Sequence, residues 1–310
     1  MRTLRFHEHG APADVLRLEA AEPPAPGPRQ VRVAVRACGL NPADWALCGG
    51  LFRGALPRGV GLEVAGTVDA VGAEVDDTAV GDEVFGPAPF TGPTAGASDY
   101  AALDIWFPRP EKLDPIDAAA LPMAVETAYR GLDALGVRAE SDQGGRTVLI
   151  SGAGTMMGYA AVQIALHQGA RVIATAGETF AAALESAGAL VTRYGAGLAE
   201  RVQALTGGPV DAALDFAPPS GVLPELVRTV AEPSHVVTLS DPAAAGPLGV
   251  RTGAGLRMCH FAIPEYAALA AEGRFTIPVV AVHALDDWRA ALAKSESGHA
   301  RGKVVLRMRE

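Results

Sequence analysis

One stretch in the middle of the chain, residues 147–175, restricts the fold more than any other. It begins with a continuous apolar strand, Thr147–Ser151, and continues through a turn of small residues that ends at Gly158. A helix is predicted over 159–167, and a second apolar strand, Arg171–Thr175, follows it. Apolar strands that alternate with helices are typical of a parallel sheet covered on both faces, so this stretch predicts an α/β domain.

The turn in this stretch has the composition of a phosphate-binding loop. Small residues let the backbone approach a pyrophosphate, and the helix that follows offers unpaired N–H groups and a favourable dipole. Its strand–turn–helix–strand setting strengthens this interpretation, against the alternative of a tight turn that binds nothing. We predict cofactor contacts from Gly152, Ala153, Gly154, Thr155, Met156, Met157 and Gly158.

The rest of the chain divides into flanking and central parts. Gly and Pro residues separate short predicted strands in the first third, at 31–36, 61–71 and 82–85. The central part continues with a helix at 180–186 and strands at 212–216 and 236–239. The end returns to mixed elements, predicted as helix 263–272, strand 279–282, helix 286–294 and strand Lys303–Arg307. This order predicts a central α/β domain inserted between two mixed segments.

Charge and cysteine content exclude several classes of function. The 310-residue chain has a net charge of −9, which gives no attraction to phosphate backbones or anionic membranes. It has no apolar run of the roughly 18 residues that would span a bilayer, and its first residues lack the pattern of a signal peptide. Cys38, Cys48 and Cys259 are too widely spaced for a disulfide framework or a four-cysteine zinc site. We expect a cytoplasmic protein without nucleic-acid or membrane partners.

Motifs along nearly the whole chain resemble one known superfamily. They comprise LISGAG at 149–154 followed by Gly158 and Gln163, GLNPADW at 39–45, VGDEVFG at 80–86 and GHARGKVVL at 298–306. In this order they are similar to the medium-chain dehydrogenase/reductase superfamily. Within it, the chain most resembles zinc-free quinone oxidoreductases, zeta-crystallins and enoyl reductases of polyketide synthases.

The resemblance implies a fold, a cofactor and a reaction. Residues 1–118 and 258–310 would form a GroES-like, mostly-β substrate domain, and 119–257 a Rossmann domain with a doubly wound parallel sheet. The implied activity is the NADPH-dependent reduction of a quinone or an α,β-unsaturated carbonyl compound, and the implied assembly is a homodimer. The alternative is a non-catalytic binding or scaffold protein of the same fold.

The zinc ligands of related dehydrogenases are replaced in this chain. Against their Cys-Gly-x-Cys-like segment it reads Cys38-Gly39-Leu40-Asn41, and against their Gly-His-Glu it reads Leu62 in place of the histidine. A catalytic zinc needs about three protein ligands, so no zinc is expected. Without that Lewis acid, conjugated acceptors are favoured, because hydrogen bonds can stabilise the charge that develops on their oxygen.

Few residues are candidates for binding or orienting the substrate. Asn41 matches an Asn of the zinc-free relatives and would orient the carbonyl, or else it forms an Asx-turn before Pro42. Trp45 and Phe52 would line an aromatic pocket, or else they pack in the core. Ala46 stands where the relatives have a tyrosine, so a frequent acid/base group is absent.

The remaining predicted cofactor contacts are Thr127, Thr175, Gly177 and Lys303. Thr127 matches the threonine beside the nicotinamide in the relatives. The second strand ends without the acid that would bind a ribose 2′-hydroxyl, which favours NADP over NAD. Glu178 follows closely, and the first Arg or Lys after the second strand is Arg193, so NAD is not excluded.

The phosphate turn departs from the family pattern at Thr155 and Met156, where relatives usually have two glycines. Neither residue adopts a positive φ cheaply. We therefore expect either a reshaped loop, in which the Thr155 hydroxyl replaces a backbone contact, or impaired cofactor binding. This departure motivates the non-catalytic alternative.

Overall fold

A computed structural model of the chain describes residues 1–138 and 145–308. Its strands are β1 (Arg2–Phe6), β2 (Leu16–Ala20), β3 (Val31–Leu40), β4 (Arg58–Gly59), β5 (Glu63–Val71), β6 (Glu83–Pro87), β7 (Tyr100–Leu103), β8 (Phe107–Pro108), β9 (Thr147–Ser151), β10 (Arg171–Thr175), β11 (Leu190–Thr192), β12 (Ala212–Asp215), β13 (Val236–Thr238), β14 (Arg251–Thr252), β15 (Val279–Ala284) and β16 (Lys303–Arg307). Its helices are α1 (Pro12–Val15), α2 (Pro42–Cys48), α3 (Pro115–Ala118), α4 (Pro122–Ala134), α5 (Met156–His167), α6 (Glu178–Ser186), α7 (Leu198–Thr206), α8 (Leu223–Val227), α9 (Pro242–Ala245), α10 (Ile263–Ala271) and α11 (Trp288–Glu296). None of the helices in the described ranges has both the length and the apolar character needed to cross a membrane.

The chain forms two compact units. The first consists of Met1–Met123 and Ile263–Glu310, and the second of Ala124–Ala262. Both boundaries between the units lie five residues after the predicted domain boundaries, and the chain crosses between the units at these two points. The first of these crossings falls near the start of α4.

The first unit is mostly β-structure, as expected for a GroES-like domain. Its larger sheet has the order β15-β16-β3-β5-β6-β8, with β7 also paired to β3, and a smaller sheet has the order β2-β1-β4. In the larger sheet, Leu40 of β3 lies opposite Val304 of β16, and Gly39 lies opposite Glu63 of β5. This register brings the residue after β3 beside the first residue of β16. It therefore decides which polar side chains meet at that end of the sheet.

The second unit confirms the predicted Rossmann fold. Its strands are all parallel, in the order β11-β10-β9-β12-β13-β14, which is the order 3-2-1-4-5-6 when they are counted along the unit. In sheets of this type, ligands bind beyond the carboxyl ends of the strands. The apolar strands of the sequence form the centre of this sheet, because β9, β10 and β12 bury nearly every side chain.

Candidate active site

Three side chains of the first unit form one buried polar network. The ammonium of Lys303 donates to Asn41 Oδ1 at 2.7 Å and is ion-paired with Glu63. The amide of Asn41 donates from Nδ2 to Glu63 Oε1 at 2.9 Å. The backbone N–H of Met123 reaches the other carboxylate oxygen of Glu63 at 2.8 Å. The network thus satisfies both oxygens of Glu63.

The chemistry of its neighbours determines how the Asn41 amide is oriented. Lys303 is only a donor and ionised Glu63 is only an acceptor, so the amide oxygen must face the first and the nitrogen the second. The side chains of Lys303 and Glu63 are 3% and 0% exposed. Two charges this far from water are stable only when they remain paired and hydrogen-bonded. Asn41 is therefore held by the network, and it is also the N-cap of α2, where it forms a capping box with Asp44.

Asp44 supports the loop that carries Asn41. Its carboxylate accepts from the backbone N–H of Asn41 at 2.7 Å and from that of Gly61 at 2.6 Å. Asp44 is fully buried, and burial raises its pKa to about 7 against the two hydrogen bonds that favour the charged form. This carboxylate ties the start of α2 to the segment before β5, and so it helps to position both Asn41 and Glu63.

We expect a pH dependence of stability from Asp44. Its pKa is about 7 in the folded protein and 3.8 in an ordinary setting, so the folded state holds the extra proton between these values. The contribution of Asp44 to the free energy of unfolding is complete below pH 3.8 and is lost as the pH rises through about 7. The loss is up to about 1.4 kcal/mol per pH unit. Urea unfolding across this range measures the slope. Asp44→Asn should flatten it, whereas Asp77→Asn on an exposed loop should not; an unchanged slope in Asp44→Asn contradicts the assignment.

The donor groups around Asn41 do not suit a zinc ion. Burial and the neighbouring carboxylates of Asp44 and Glu63 raise the pKa of the Cys38 thiol well above its ordinary value. The oxygens of Glu63 are already occupied, and position 62 is a leucine. Within residues 1–138 and 145–308, no group of three or more His, Cys, Asp or Glu side chains is arranged to hold a metal.

The two predicted aromatic residues occupy different environments. Trp45 is 7% exposed in the core of the first unit, and its indole N–H donates to Ser295 Oγ at 2.8 Å. Phe52 is 68% exposed, has a φ of 50° and lies 6.0 Å from the ring of Phe90. Buried Arg58 bonds to the carbonyl oxygens of both phenylalanines, so it holds the two loops together. Trp45 therefore has the packing role, and only Phe52 presents its ring to the surroundings.

In the glycine turn of the second unit, neither Thr155 nor Met156 takes a positive φ, and the Thr155 hydroxyl makes backbone contacts, as in the first of the two alternatives above. Gly152 carries the positive φ, at 74°, whereas Thr155 has a φ of −84° and Met156 is the first residue of α5. Thr155 is the N-cap: its hydroxyl accepts from Gly158 N–H at 3.1 Å and donates to Gly152 O at 2.9 Å. A threonine is among the preferred residues at this position. The substitution therefore stabilises the turn and leaves no strain there.

The same turn leaves backbone donors for a ligand. The N–H groups of Gly152, Ala153 and Thr155 are bonded within the turn or to β10, at 2.9 to 3.0 Å. In the part of the chain that the structure describes, those of Gly154, Met156 and Met157 make no hydrogen bond, and these residues are partly exposed. Three free donors at the start of a twelve-residue helix can bind a phosphate group.

The other predicted cofactor residues are held in different ways. Thr175 is buried at the end of β10, and its hydroxyl accepts from Gly152 N–H at 3.0 Å, so it positions the turn. Gly177 is the exposed N-cap of α6. Thr127 lies on α4 and is 6% exposed, with its hydroxyl 3.5 Å from the carboxylate of Glu126. The ammonium of Lys303 is bonded to Asn41 and Glu63 in the network described above. These contacts depend on pairing between strands that are distant in the sequence, and the sequence analysis did not predict them.

Comparison with known proteins agrees with both units. A family model described as Alcohol dehydrogenase GroES-like domain matches residues 27–102, and one described as Zinc-binding dehydrogenase matches residues 186–306. Together these two matches cover more than half of the chain. A crystal structure described as NAD-dependent alcohol dehydrogenase superposes with a TM-score of 0.86 at 27% identity, covering 100% of both chains.

Two curated relatives are similar over shorter stretches. The spectinabilin polyketide synthase system protein NorB of Streptomyces orinoci is 46% identical over 160 residues, which are 51% of this chain and 7% of that protein. Quinone oxidoreductase of Homo sapiens is 36% identical over 182 residues, which are 57% of this chain and 53% of that protein. The chain therefore matches about half the length of the quinone oxidoreductase and a small part of the synthase protein.

Proposed function

Because this chain belongs to the medium-chain dehydrogenase/reductase superfamily, we propose that it is an NADPH-dependent reductase of quinones or α,β-unsaturated carbonyl compounds. Enoyl thioesters of the polyketide type fall within this class, as the likeness to the synthase protein suggests. The observation that carries the proposal is the Asn41 amide held between Lys303 and Glu63 at the sequence position of a zinc ligand in related dehydrogenases.

The glycine turn fits a dinucleotide. A Cβ added at Gly154 would meet only a ring carbon of Phe180 at 3.7 Å, so there is space above the turn. The free N–H groups of Gly154, Met156 and Met157 would bind the pyrophosphate. When bound, a reduced nicotinamide supplies the hydride for the reaction. The capped turn also removes the main reason for the non-catalytic alternative.

The proposed reaction is independent of zinc. Neither Leu62 nor the occupied Glu63 suits the metal, so a Lewis acid is not available to polarise a simple alcohol or ketone. A conjugated acceptor needs less activation, because the developing charge lies on an oxygen that one or two hydrogen bonds can stabilise. This argument favours quinones, enones and enoyl thioesters over alcohols.

Asn41 would donate to that oxygen. An amide nitrogen carries two N–H groups, and Glu63 accepts one of them. Lys303, bonded to the amide oxygen, polarises the amide and makes its remaining N–H a stronger donor. Phe52, with its exposed ring, would contact an apolar or aromatic acceptor, whereas buried Trp45 would not.

Loss of the Asn41 donor should lower kcat/KM for a conjugated acceptor by roughly 100- to 1000-fold. NADPH absorbance reports turnover of quinones, enones and enoyl thioesters beside simple alcohols and ketones, and elemental analysis of the same sample measures zinc. Asn41→Ala tests the donor. Gln30→Ala, which removes an amide bonded to Gly27 and Asp104 elsewhere in the first unit, is the matched control and should keep full activity.

Three outcomes would contradict parts of this proposal. The first is turnover of alcohols, with about one equivalent of zinc and no activity on conjugated acceptors. It would instead support an alcohol dehydrogenase, the activity in the name of the superposed structure. Cofactor binding without turnover of any acceptor would support a binding or scaffold protein. Full activity of Asn41→Ala would remove the role of Asn41 and leave the reaction class standing. Homodimer formation and a cytoplasmic location stay predictions from the sequence.

A further inference from the structure

The ends of two neighbouring strands lie next to the phosphate turn. Thr175, the last residue of β10, is paired in register with Thr192, the last residue of β11. The N–H of Ala176 donates to Thr192 O at 3.2 Å, and that of Ala153 donates to Thr175 O at 3.0 Å. A continuous set of backbone contacts therefore links the turn to β10 and β10 to β11. In sheets of this order, the end of the second strand faces the ribose that carries the 2′-group.

Two opposite charges lie at this edge. Arg193 follows β11 directly, and Glu178 is the first residue of α6, which begins just after β10. Their side chains approach to 3.7 Å, although they are 84% and 96% exposed. An exposed pair of this kind adds little to stability. The fold does not depend on it, so Arg193 is available to another anion.

The backbone of Arg193 is nevertheless held in place. The guanidinium of Arg201, on α7, donates to the carbonyl oxygens of Arg193 at 2.9 Å, Ala196 at 2.8 Å and Gly195 at 3.3 Å. Gly195 and Gly197 take φ values of 93° and 75°, which let the chain turn closely around that guanidinium. Arg193 thus extends an exposed cation from a loop whose backbone is hydrogen-bonded.

We propose that Arg193 binds the 2′-phosphate of NADPH, and that Glu178 competes for the same guanidinium. This inference rests on the NADPH-dependent function proposed above and names the residues that select the cofactor. A guanidinium is well suited to a phosphate, because it presents several donors in a planar fork. With NADH, Arg193 stays with Glu178, whose carboxylate is then able to accept from the ribose hydroxyl. The pair therefore favours NADPH and still admits NADH.

Isothermal titration calorimetry with two cofactor fragments tests the proposal without catalysis. 2′,5′-ADP carries the 2′-phosphate and 5′-ADP does not. The native chain should bind the first more tightly. Arg193→Gln should lower the affinity for 2′,5′-ADP by about 10- to 100-fold, which corresponds to the loss of one charge-assisted hydrogen bond. It should leave the affinity for 5′-ADP unchanged. Glu178→Gln should raise the affinity for 2′,5′-ADP by about two- to fivefold, which corresponds to the energy of an exposed ion pair.

A matched control is available in the same unit. Arg138 is also exposed and paired, with Asp133 at 2.8 Å, but it lies with Arg146 and Gly169 beside the starts of β9 and β10. Arg138→Gln should change neither affinity. Raised ionic strength should reduce the advantage of 2′,5′-ADP in the native chain and not in Arg193→Gln.

The possible results separate this proposal from the reductase function. Equal affinity of the native chain for both fragments, or an unchanged preference in Arg193→Gln, would overturn the role of Arg193 and leave a reductase that uses NADH. A preference that depends on Arg193 in a protein that reduces no acceptor would uphold this proposal and overturn the reductase function. Absence of binding of either fragment would overturn both.

Discussion

Replacing Lys303 with methionine is expected to lower the free energy of unfolding by about 3 to 5 kcal/mol, the cost of breaking a buried ion pair. The substitution keeps the apolar part of the side chain but leaves the Glu63 carboxylate, which is 0% exposed, without its cation. It also removes the donor to Asn41 Oδ1, so the amide loses the contact that determines its orientation. Stability and activity should therefore fall together.

Urea unfolding of three variants measures this effect. Arg307→Met makes the same exchange at the exposed end of the same strand, β16, and should cost about 0.5 kcal/mol or less. Combining Lys303→Met with Glu63→Gln removes both charges and should recover part of the loss, because no buried charge stays unpaired. If Lys303→Met and Arg307→Met have equal stability, the network does not hold this end of the sheet.

Replacing Gly158 with alanine is expected to weaken cofactor binding by at least about 100-fold. A Cβ at this position would lie 2.2 Å from Gly152 O and 2.9 Å from the Cα of Ala153, so the backbone of the turn must move. The N–H groups of Gly154, Met156 and Met157 would then lose the arrangement that can bind a pyrophosphate. A loss of two charge-assisted hydrogen bonds accounts for a change of this size.

The affinity for NADPH, followed by nucleotide fluorescence, checks this expectation. Gly208→Ala is the control in the same unit, because a Cβ there meets nothing within 4 Å and the backbone has no positive φ. It should bind as the native chain does. Circular dichroism of Gly158→Ala shows whether the sheet has formed. Normal affinity in this variant would mean that the turn does not hold the cofactor.

The local pattern of the chain predicted much of the fold. The strands β9, β10, β12 and β13 were expected from apolar runs, and helices α5, α6, α10 and α11 were predicted between or after such strands. These patterns depend only on residues that are close in the sequence, so they can be recognised without knowing which elements pack together. By contrast, β11 was missed: it has only three residues and is partly exposed at the edge of its sheet. With it, the placement of Arg193 beside Glu178 was missed as well.

Reasoning about single residues was less successful where the backbone conformation mattered. Thr155 was expected either to reshape the turn or to impair cofactor binding, because the resemblance to relatives placed it at a glycine position. The structure gives it the φ of an N-cap instead, a conformation that suits threonine and uses its hydroxyl. Which residue of a turn takes the positive φ depends on the hydrogen bonds of the whole loop, and residue types alone do not determine it.

The sequence by itself determined the two fold types and the strand–turn–helix arrangement of residues 147–167, because these follow from local patterns of residues. Only the tertiary structure decided what Lys303 does. It lies 262 residues from Asn41, and the register of β16 against β3 brings the two together. A buried ammonium must find its partners wherever the sheet places them, so its role follows from strand pairing and not from its own neighbours in the chain.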